Sequence, residues 1–245
     1  MTLALSDLES ARFGYRVSRL VVGAGQSDDV VASVADSGFD VVIVRAPADD
    51  VALPARLASI PGYTAIAADS LLWWEWQDDG SPIRALDAGG VARSVDGDVE
   101  LERLVREVFA DYKNHYSANP LFGSGPALDG YCEWASLLFN SGDATCTVLV
   151  DDGEPVGFGL VDLSPEIPDI RLAGIVPTAR RGGRYRALVS ELMLERRTNG
   201  GSAMRISTQS HNTTVMRAWA QLGWLPRETF VTTHLVREGL LLRGE

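Results

Sequence analysis

The segment from Ile175 to Leu188 constrains the fold more than any other part of the sequence. An apolar strand comes first, a loop rich in arginine and glycine follows, and an amphipathic helix begins inside that loop. The first amides of a helix have no acceptor within the helix and carry the positive end of its dipole. Gly182 and Gly183 lack the Cβ atoms that would keep an anion away from the backbone. The segment therefore predicts a turn whose N–H groups, from residue 181 to residue 186, can hold a diphosphate.

The side chains of this loop are expected to add positive charge, through Arg180, Arg181, Arg184 and Arg186. The loop is not a Walker A motif, because the Lys and Ser/Thr of that motif are missing, and it is not G-x-G-x-x-G. Taken alone, it is also compatible with a basic surface turn that caps a helix.

Apolar periodicity predicts an α/β pattern along the whole chain. In the first block the predicted strands are 15–22, 40–45 and 65–76, and the predicted helices are 28–37 and 51–60. In the second block the order is α-α-β-β-β-α-β-α-β, at 98–112, 128–140, 145–150, 156–161, 169–176, 184–197, 203–208, 212–222 and 230–236. Turn-forming residues between the blocks place a boundary near 85–95, which predicts domains 1–92 and 93–245.

The net charge of −11 is unevenly distributed. Residues 1–100 carry 16 acidic and 7 basic side chains, residues 101–170 carry 12 and 3, and residues 171–245 carry 5 and 12. The acidic bulk argues against binding to duplex nucleic acid, which needs a broad basic face. The basic final third is suited to one compact anionic ligand.

Several classes of protein are not expected from this composition. No apolar run approaches the ~18 residues of a membrane span. The first residues lack the basic segment of a secretion signal, so a cytoplasmic protein is expected. Three histidines and two cysteines show no ligand spacing, so no metal is expected.

The element order and the Arg/Gly loop resemble the GNAT superfamily of acyl-CoA-dependent N-acyltransferases. The signature of that superfamily, between its fourth strand and third helix, is Arg/Gln-x-x-Gly-x-Gly/Ala. Here the motif reads Arg180-x-x-Gly183-x-Tyr185, with tyrosine in place of a small residue. The resemblance extends to residues 205–212 and 217–224. It implies a mixed, mostly antiparallel sheet flanked by helices, with a smaller N-terminal α/β domain.

A closer resemblance is to the branch that contains the dTDP-fucosamine (TDP-4-amino-4,6-dideoxygalactose) N-acetyltransferases. It rests on the 115–120 loop (His-Tyr-Ser-Ala-Asn-Pro) and on residues 12–15 and 19–20. It implies transfer of an acetyl or other small acyl group from acyl-CoA to a small-molecule amine, such as an amino sugar or a biosynthetic intermediate, by direct attack on the thioester. The alternatives are the same fold with a carrier-protein or aminoacyl-tRNA donor, or a ligand-binding relic without catalysis. A homodimer is compatible with each of these interpretations.

The resemblance also implies positions for the co-substrate, acetyl-CoA. Ala173, Gly174 and Ile175 are expected to line the thioester, with the N–H of Ile175 polarising its carbonyl. The diphosphate is assigned to Arg181, Gly182, Gly183, Arg184, Tyr185 and Arg186, with the Tyr185 ring turned away from it. Asn212 is expected either to contact the pantetheine arm or phosphates, or to be a plain N-cap.

Candidates for the chemistry come from the histidines and from one aromatic position. We predict His234 as the general base, since a group with a pKa near 7 suits that task, with a structural histidine as the alternative. We predict that His115 and Tyr116 contact the acceptor, with packing within their loop as the alternative. Trp219 stands where the family often has a general-acid tyrosine, and we interpret it as a core residue.

Overall fold

The structure is a computed structural model that describes residues 3–23, 25–83 and 90–241. The helices are α1 (Asp7–Phe13), α2 (Ser27–Ala35), α3 (Leu53–Ala58), α4 (Gly97–Phe109), α5 (Ser124–Asn140), α6 (Arg184–Thr198) and α7 (Thr213–Gln221). The strands are β1 (Val17–Val21), β2 (Val41–Pro47), β3 (Tyr63–Gln77), β4 (Val91–Ser94), β5 (Ala144–Asp151), β6 (Glu154–Asp162), β7 (Asp169–Ile175), β8 (Ala203–Gln209) and β9 (Leu225–Arg237). Short 3₁₀ turns occupy His115–Ala118 and Pro177–Ala179.

The helices and strands predicted between residues 98 and 236 are all present, in the predicted order. The strand β4 was not predicted. It has four residues, and its Val91 is 73% exposed, so it lacks the buried apolar face that makes a strand visible in a sequence. Residues 84–89, where part of the predicted domain boundary falls, lie outside the described residues.

The chain divides into two compact units, each made of separate segments. Unit 1 comprises residues 1–72, 113–127 and 228–245, and unit 2 comprises residues 73–112 and 128–227. The division of the chain at residues 92 and 93 stays a prediction.

Unit 2 contains a mixed, mostly antiparallel sheet flanked by helices, as expected. The strands β4, β5, β6 and β7 pair antiparallel in that order, and β8 pairs parallel with β7. A Cβ on Gly174 would meet Val108 of α4, whereas a Cβ on Gly159 would meet Leu192 of α6. Because Gly159 is paired with Ala173, the neighbour of Gly174, these contacts lie on opposite faces of the sheet. The helices α4 and α6 therefore cover the two faces.

Unit 1 is built on three neighbouring strands. The strand β2 pairs parallel with β1 and antiparallel with β9. One face of these strands packs against α2 and α3 in an apolar core. On the other face Arg19, Ile43 and His234 share one row, because Ile43 is the register partner of both. His234 is thus placed on this second face by its position in β9.

The longest helix, α5, has 17 residues. It contains Asp129 and Glu133 as well as several small residues. Within residues 3–23, 25–83 and 90–241, no helix has the length and apolar character needed to cross a membrane.

Candidate functional site

The strands β7 and β8 are paired only where they begin. Their parallel ladder joins Asp169 to Arg205 and Ile170 to Ile206. Within the described part of the chain, residues 171–175 have no ladder partner on the β8 side, although β7 stays paired with β6 on its other side. The two strands therefore separate toward their carboxyl ends and leave a gap in the sheet of unit 2.

The β6–β7 ladder decides which backbone groups of β7 face this gap. The N–H of Val176 donates to the carbonyl of Val156 at 2.9 Å, so Val176 and Gly174 direct their backbone groups toward β6. Ala173 and Ile175 alternate with them and direct their backbone groups the other way, toward the gap. The N–H of Ile175 is therefore a donor that faces the gap, and its contact with a thioester carbonyl, which the resemblance implies, stays a prediction.

Gly174 acts in the structure through packing. A Cβ on this residue would lie 2.2 Å from Cγ1 of Val108, so only glycine allows α4 to approach β7 this closely. Its backbone faces β6, whereas the backbone groups of Ala173 and Ile175 face the gap. The contact between Gly174 and a thioester stays a prediction.

The loop between β7 and α6 turns through three successive residues with positive φ angles. Arg181, Gly182 and Gly183 have φ angles of 103°, 68° and 83°, and α6 begins directly after them. No side chain caps the helix, and the N–H of Ala187 donates to the carbonyl of Gly183 at 3.0 Å. The N–H groups of residues 184–186 thus have no acceptor within the helix and lie at its positive end.

Arg180 connects the end of β7 to α4. Its Nε donates to the carbonyl of Ile175 at 3.1 Å, and its Nη2 donates to the carbonyl of Val108 at 3.0 Å. The guanidinium therefore fixes the peptide group that follows Ile175. Its charge is used within the protein, which differs from the expectation that it adds to a phosphate site.

The other arginines of the loop differ in their partners. Arg184 forms an ion pair with Asp151, in which Nε lies 2.8 Å from Oδ2. Arg186 donates from Nη1 to Oε1 of Gln221 at 3.0 Å. Arg181 is exposed and has no partner in the part of the chain that the structure describes. Of the four arginines that the sequence suggests for a phosphate site, Arg181 is therefore the one whose side chain has no partner among the described residues, and the binding of a diphosphate by this loop stays a prediction.

Tyr185 points its phenol toward α7. The Nε1–H of Trp219 donates to the hydroxyl oxygen of Tyr185 at 3.0 Å. Burial raises the pKa of Tyr185 above its ordinary value. Trp219 is 1% exposed, which confirms the prediction that it belongs to the core.

A second polar contact, which the sequence does not predict, lies at the end of β8. The hydroxyl of Tyr112 donates to Oε1 of Gln209, the last residue of that strand. Tyr112 also packs edge-on against Phe109 and Tyr131. The only sequence signal was its place at the end of an amphipathic helix, and that place equally fits a core residue.

Asn212 precedes α7 but does not cap it with its side chain. Its Nδ2 donates instead to Oγ1 of Thr208 in β8 at 3.1 Å. Asn212 therefore occupies the N-cap position through its backbone alone, since its carbonyl accepts the N–H of Met216 at 3.2 Å and its side chain forms no cap. The contact between Asn212 and a pantetheine arm or phosphate stays a prediction.

In unit 1, Asn119, His234 and His115 form a continuous hydrogen-bonded series, here called the histidine chain. Nδ2 of Asn119 lies 3.2 Å from Nδ1 of His234, and Nε2 of His234 lies 2.9 Å from Nδ1 of His115. The two rings meet edge to face, with centroids 5.2 Å apart. His115 and His234 are therefore in contact in the protein interior, although 119 positions separate them in the sequence.

Both histidines are held in the neutral form. Burial, together with the charges of Arg19 and Arg45, lowers the pKa of His234 to about 3. Burial and the neighbouring His234 place the pKa of His115 well below its usual range. The general-base role of His234 stays a prediction, and this geometry argues against it, because the ring is 0% exposed and both its nitrogens have partners.

Tyr116 belongs to the same buried region of unit 1. Its hydroxyl donates to Oε1 of Glu9 at 2.6 Å, and burial raises its pKa. Its ring lies 5.1 Å from that of Phe13 and 5.8 Å from that of Phe122. Contact of Tyr116 and His115 with an acceptor stays a prediction.

The described residues hold no metal-binding cluster of three or more His, Cys, Asp or Glu side chains. His115 and His234 contact each other, and His211 is exposed. Cys132 and Cys146 are both buried free thiols.

Comparisons with known proteins agree with this architecture. No protein-family model and no curated protein matches the chain. Among solved structures, a GCN5-related N-acetyltransferase from Sphaerobacter thermophilus is similar with a TM-score of 0.60 at 18% identity, over 82% of this chain. This chain spans 61% of that protein's length.

Two further structures are similar over most of both chains. A GCN5-related N-acetyltransferase from Kribbella flavida has a TM-score of 0.56 at 17% identity, over 91% of this chain and 82% of its own. A tandem GNAT protein from the clavulanic acid biosynthesis pathway has a TM-score of 0.58 at 13% identity, over 89% and 74%. At these identities the likeness shows the fold alone: the chain has the fold of the GNAT N-acetyltransferases.

Proposed function

We propose that the protein is an N-acyltransferase that moves an acetyl or other small acyl group from acyl-CoA to a small-molecule amine. The observation that carries the proposal is the gap between β7 and β8, combined with the turn of three positive φ angles that follows β7. The fold of the GNAT N-acetyltransferases supports acyl transfer as the class of reaction.

The residues present fit acetyl-CoA as the co-substrate. The unpaired amides of residues 184–186, at the positive end of α6, suit its diphosphate. The gap-facing backbone groups of Ala173 suit the amides of its pantetheine arm, because an extended chain can pair with a strand that has lost its neighbour. In this arrangement the thioester would lie toward Ile175.

The N–H of Ile175 would donate to the thioester carbonyl oxygen as negative charge develops there during attack by the amine. Arg180 holds the carbonyl of the same residue, so this part of the backbone is fixed in advance. Loss of one such donor typically slows an acyl transfer by about 10²–10³-fold.

The departing thiolate needs no strong acid in this proposal. Trp219, at the position where the family often has tyrosine, is buried and has its N–H bonded to Tyr185. A thiol of the cysteine type has an ordinary pKa of about 8.5, so its thiolate is a fair leaving group near neutral pH. We therefore assign no protein side chain as proton donor to this step: the thiolate takes up, directly or through water, the proton that the amine loses when it attacks.

We propose an amino sugar linked to a nucleotide as the class of acceptor. The support is the resemblance of the 115–120 loop to that of the dTDP-fucosamine N-acetyltransferases. His115 and Tyr116, the first two residues of this loop, are the side chains that we propose as acceptor contacts.

A binding experiment followed by a transfer assay tests the proposed function. Calorimetric titration with acetyl-CoA should give one site per chain with a Kd below about 1 mM, the upper end of ordinary substrate constants. Release of free CoA should then depend on an added amine, with TDP-4-amino-4,6-dideoxygalactose tested first against free amino sugars and amino acids. No heat at about 1 mM acetyl-CoA would contradict the proposal, and binding without transfer to any amine would favour a ligand-binding relic.

A further inference from the structure

The histidine chain has a direction that follows from the backbone. Oδ1 of Asn119 accepts the N–H of Leu121 at 3.1 Å. A backbone N–H can only donate, so this contact fixes which end of the amide is oxygen. The NH₂ end of Asn119 therefore faces Nδ1 of His234.

This orientation determines the tautomer of both rings. Because Asn119 donates to Nδ1 of His234, that nitrogen carries a lone pair, and the ring hydrogen lies on Nε2. Nε2–H then donates to Nδ1 of His115, so the hydrogen of His115 also lies on Nε2. The reverse direction would place the Asn119 NH₂ against the N–H of Leu121, which pairs two donors.

The histidine chain ends at Nε2 of His115. Nε2 of His115 has no hydrogen-bond partner among the described residues, and it is not among the fully buried polar atoms that lack one. His115 as a whole is 6% exposed, so the accessible surface of this nitrogen is small. Protonation would add a hydrogen to Nδ1 and break the contact with His234.

We propose that Asn119 and His234 are positioning residues that hold His115 with Nε2–H outward, as a hydrogen-bond donor to an oxygen atom of the bound amine acceptor. The use of this donor depends on the proposed acyltransferase function, whereas the tautomers do not. In this proposal His115 donates a hydrogen bond to the acceptor, and neither histidine removes a proton from it. The ligand group that fits is a hydroxyl, carboxylate or phosphate oxygen.

Nitrogen-15 spectra of histidine-labelled protein at pH 7.5 test the tautomers directly. The chain has only three histidines, and His211→Gln identifies the exposed one. We expect His234 and His115 each to show a protonated Nε2 and a bare Nδ1. A protonated Nδ1 on either ring of the wild-type protein, or a doubly protonated ring, would overturn the proposal.

The variant Asn119→Asp should reverse the direction of the hydrogen bonds in the histidine chain, because both carboxylate oxygens can only accept. We expect both rings to become protonated on Nδ1, with a bare Nε2 on His115. An unchanged spectrum in a folded Asn119→Asp protein would contradict the positioning role. If this variant does not fold, the wild-type spectrum still decides the direction.

The role of the donor is tested with TDP-4-amino-4,6-dideoxygalactose as acceptor. We expect His115→Phe to raise KM for this amine about tenfold. His115→Gln keeps an N–H donor, so its KM should return most of the way to the wild-type value. A base at this position would instead lower kcat in both variants, and that result would overturn the donor role. Correct tautomers in a protein that transfers no acetyl group would refute the proposed function and leave the histidine chain intact.

Discussion

Substituting Gly183 by alanine is expected to weaken the binding of acetyl-CoA by about tenfold to a hundredfold. Gly183 has a φ of 83° and precedes the first turn of α6. Alanine disfavours that angle, so the turn should rotate its amides away from a bound diphosphate. A charge-assisted hydrogen bond is worth about 1.5–3 kcal/mol, so the loss of a single amide contact accounts for the expected change. Calorimetric titration measures it.

Gly200→Ala is the matched control for this experiment. Gly200 follows the other end of α6, has a φ of 78°, and would have nothing within 4 Å of an added Cβ. Both variants should lose about 1 kcal/mol of stability from the strained angle. Only the Gly183 variant should lose affinity for acetyl-CoA, and equal affinities in the two variants would contradict the predicted role of the turn.

Gly174→Ala is expected to destabilise the protein by about 1–3 kcal/mol, measured by urea unfolding. The new Cβ would lie 2.2 Å from Cγ1 of Val108, so α4 or β7 must move. Because Arg180 bonds the carbonyls of both Val108 and Ile175, this movement should also disturb the donor at the gap. We expect weaker binding of acetyl-CoA together with the loss of stability.

A double-mutant cycle with Val108→Ala separates this clash from other causes. The Cβ of residue 108 would remain 3.5 Å from the new Cβ, which is an ordinary contact. The cost of the double variant should therefore be clearly smaller than the sum of the two single costs. Additive costs would mean that the contact between α4 and β7 is not what requires glycine at residue 174.

The pattern of elements in unit 2 could be predicted from the sequence because it depends on local periodicity. The helix α4 shows an apolar face at 3.6-residue spacing, and β5 and β6 are apolar runs joined by a turn at Gly153, whose φ is 83°. The Arg/Gly loop was also visible, since glycine and a helix start are local signals. The short exposed strand β4 lacks such a signal.

The partners of individual side chains could not be predicted in the same way. The charges of Arg180 and Arg184 suggest phosphate ligands, but the carbonyl of Val108 and the carboxylate of Asp151, from distant segments, accept their hydrogen bonds. The contact between His115 and His234 depends on two elements separated by most of the chain. Asn119 lies in the 115–120 loop, which was singled out for its resemblance to a known branch. Its hydrogen bond to His234 becomes clear only from the direction of its amide in the structure. Such contacts depend on tertiary packing. Their partners have no characteristic separation in the sequence, so a single sequence does not reveal them.

The most direct test of the account is a crystal structure of the protein with acetyl-CoA. The account predicts that the diphosphate contacts the amides of residues 184–186 and that the pantetheine arm lies along β7 in the gap beside β8. It also predicts that the thioester carbonyl lies within hydrogen-bond distance of the Ile175 N–H. Acetyl-CoA bound elsewhere, or a β7–β8 ladder that is closed along its whole length, would contradict it.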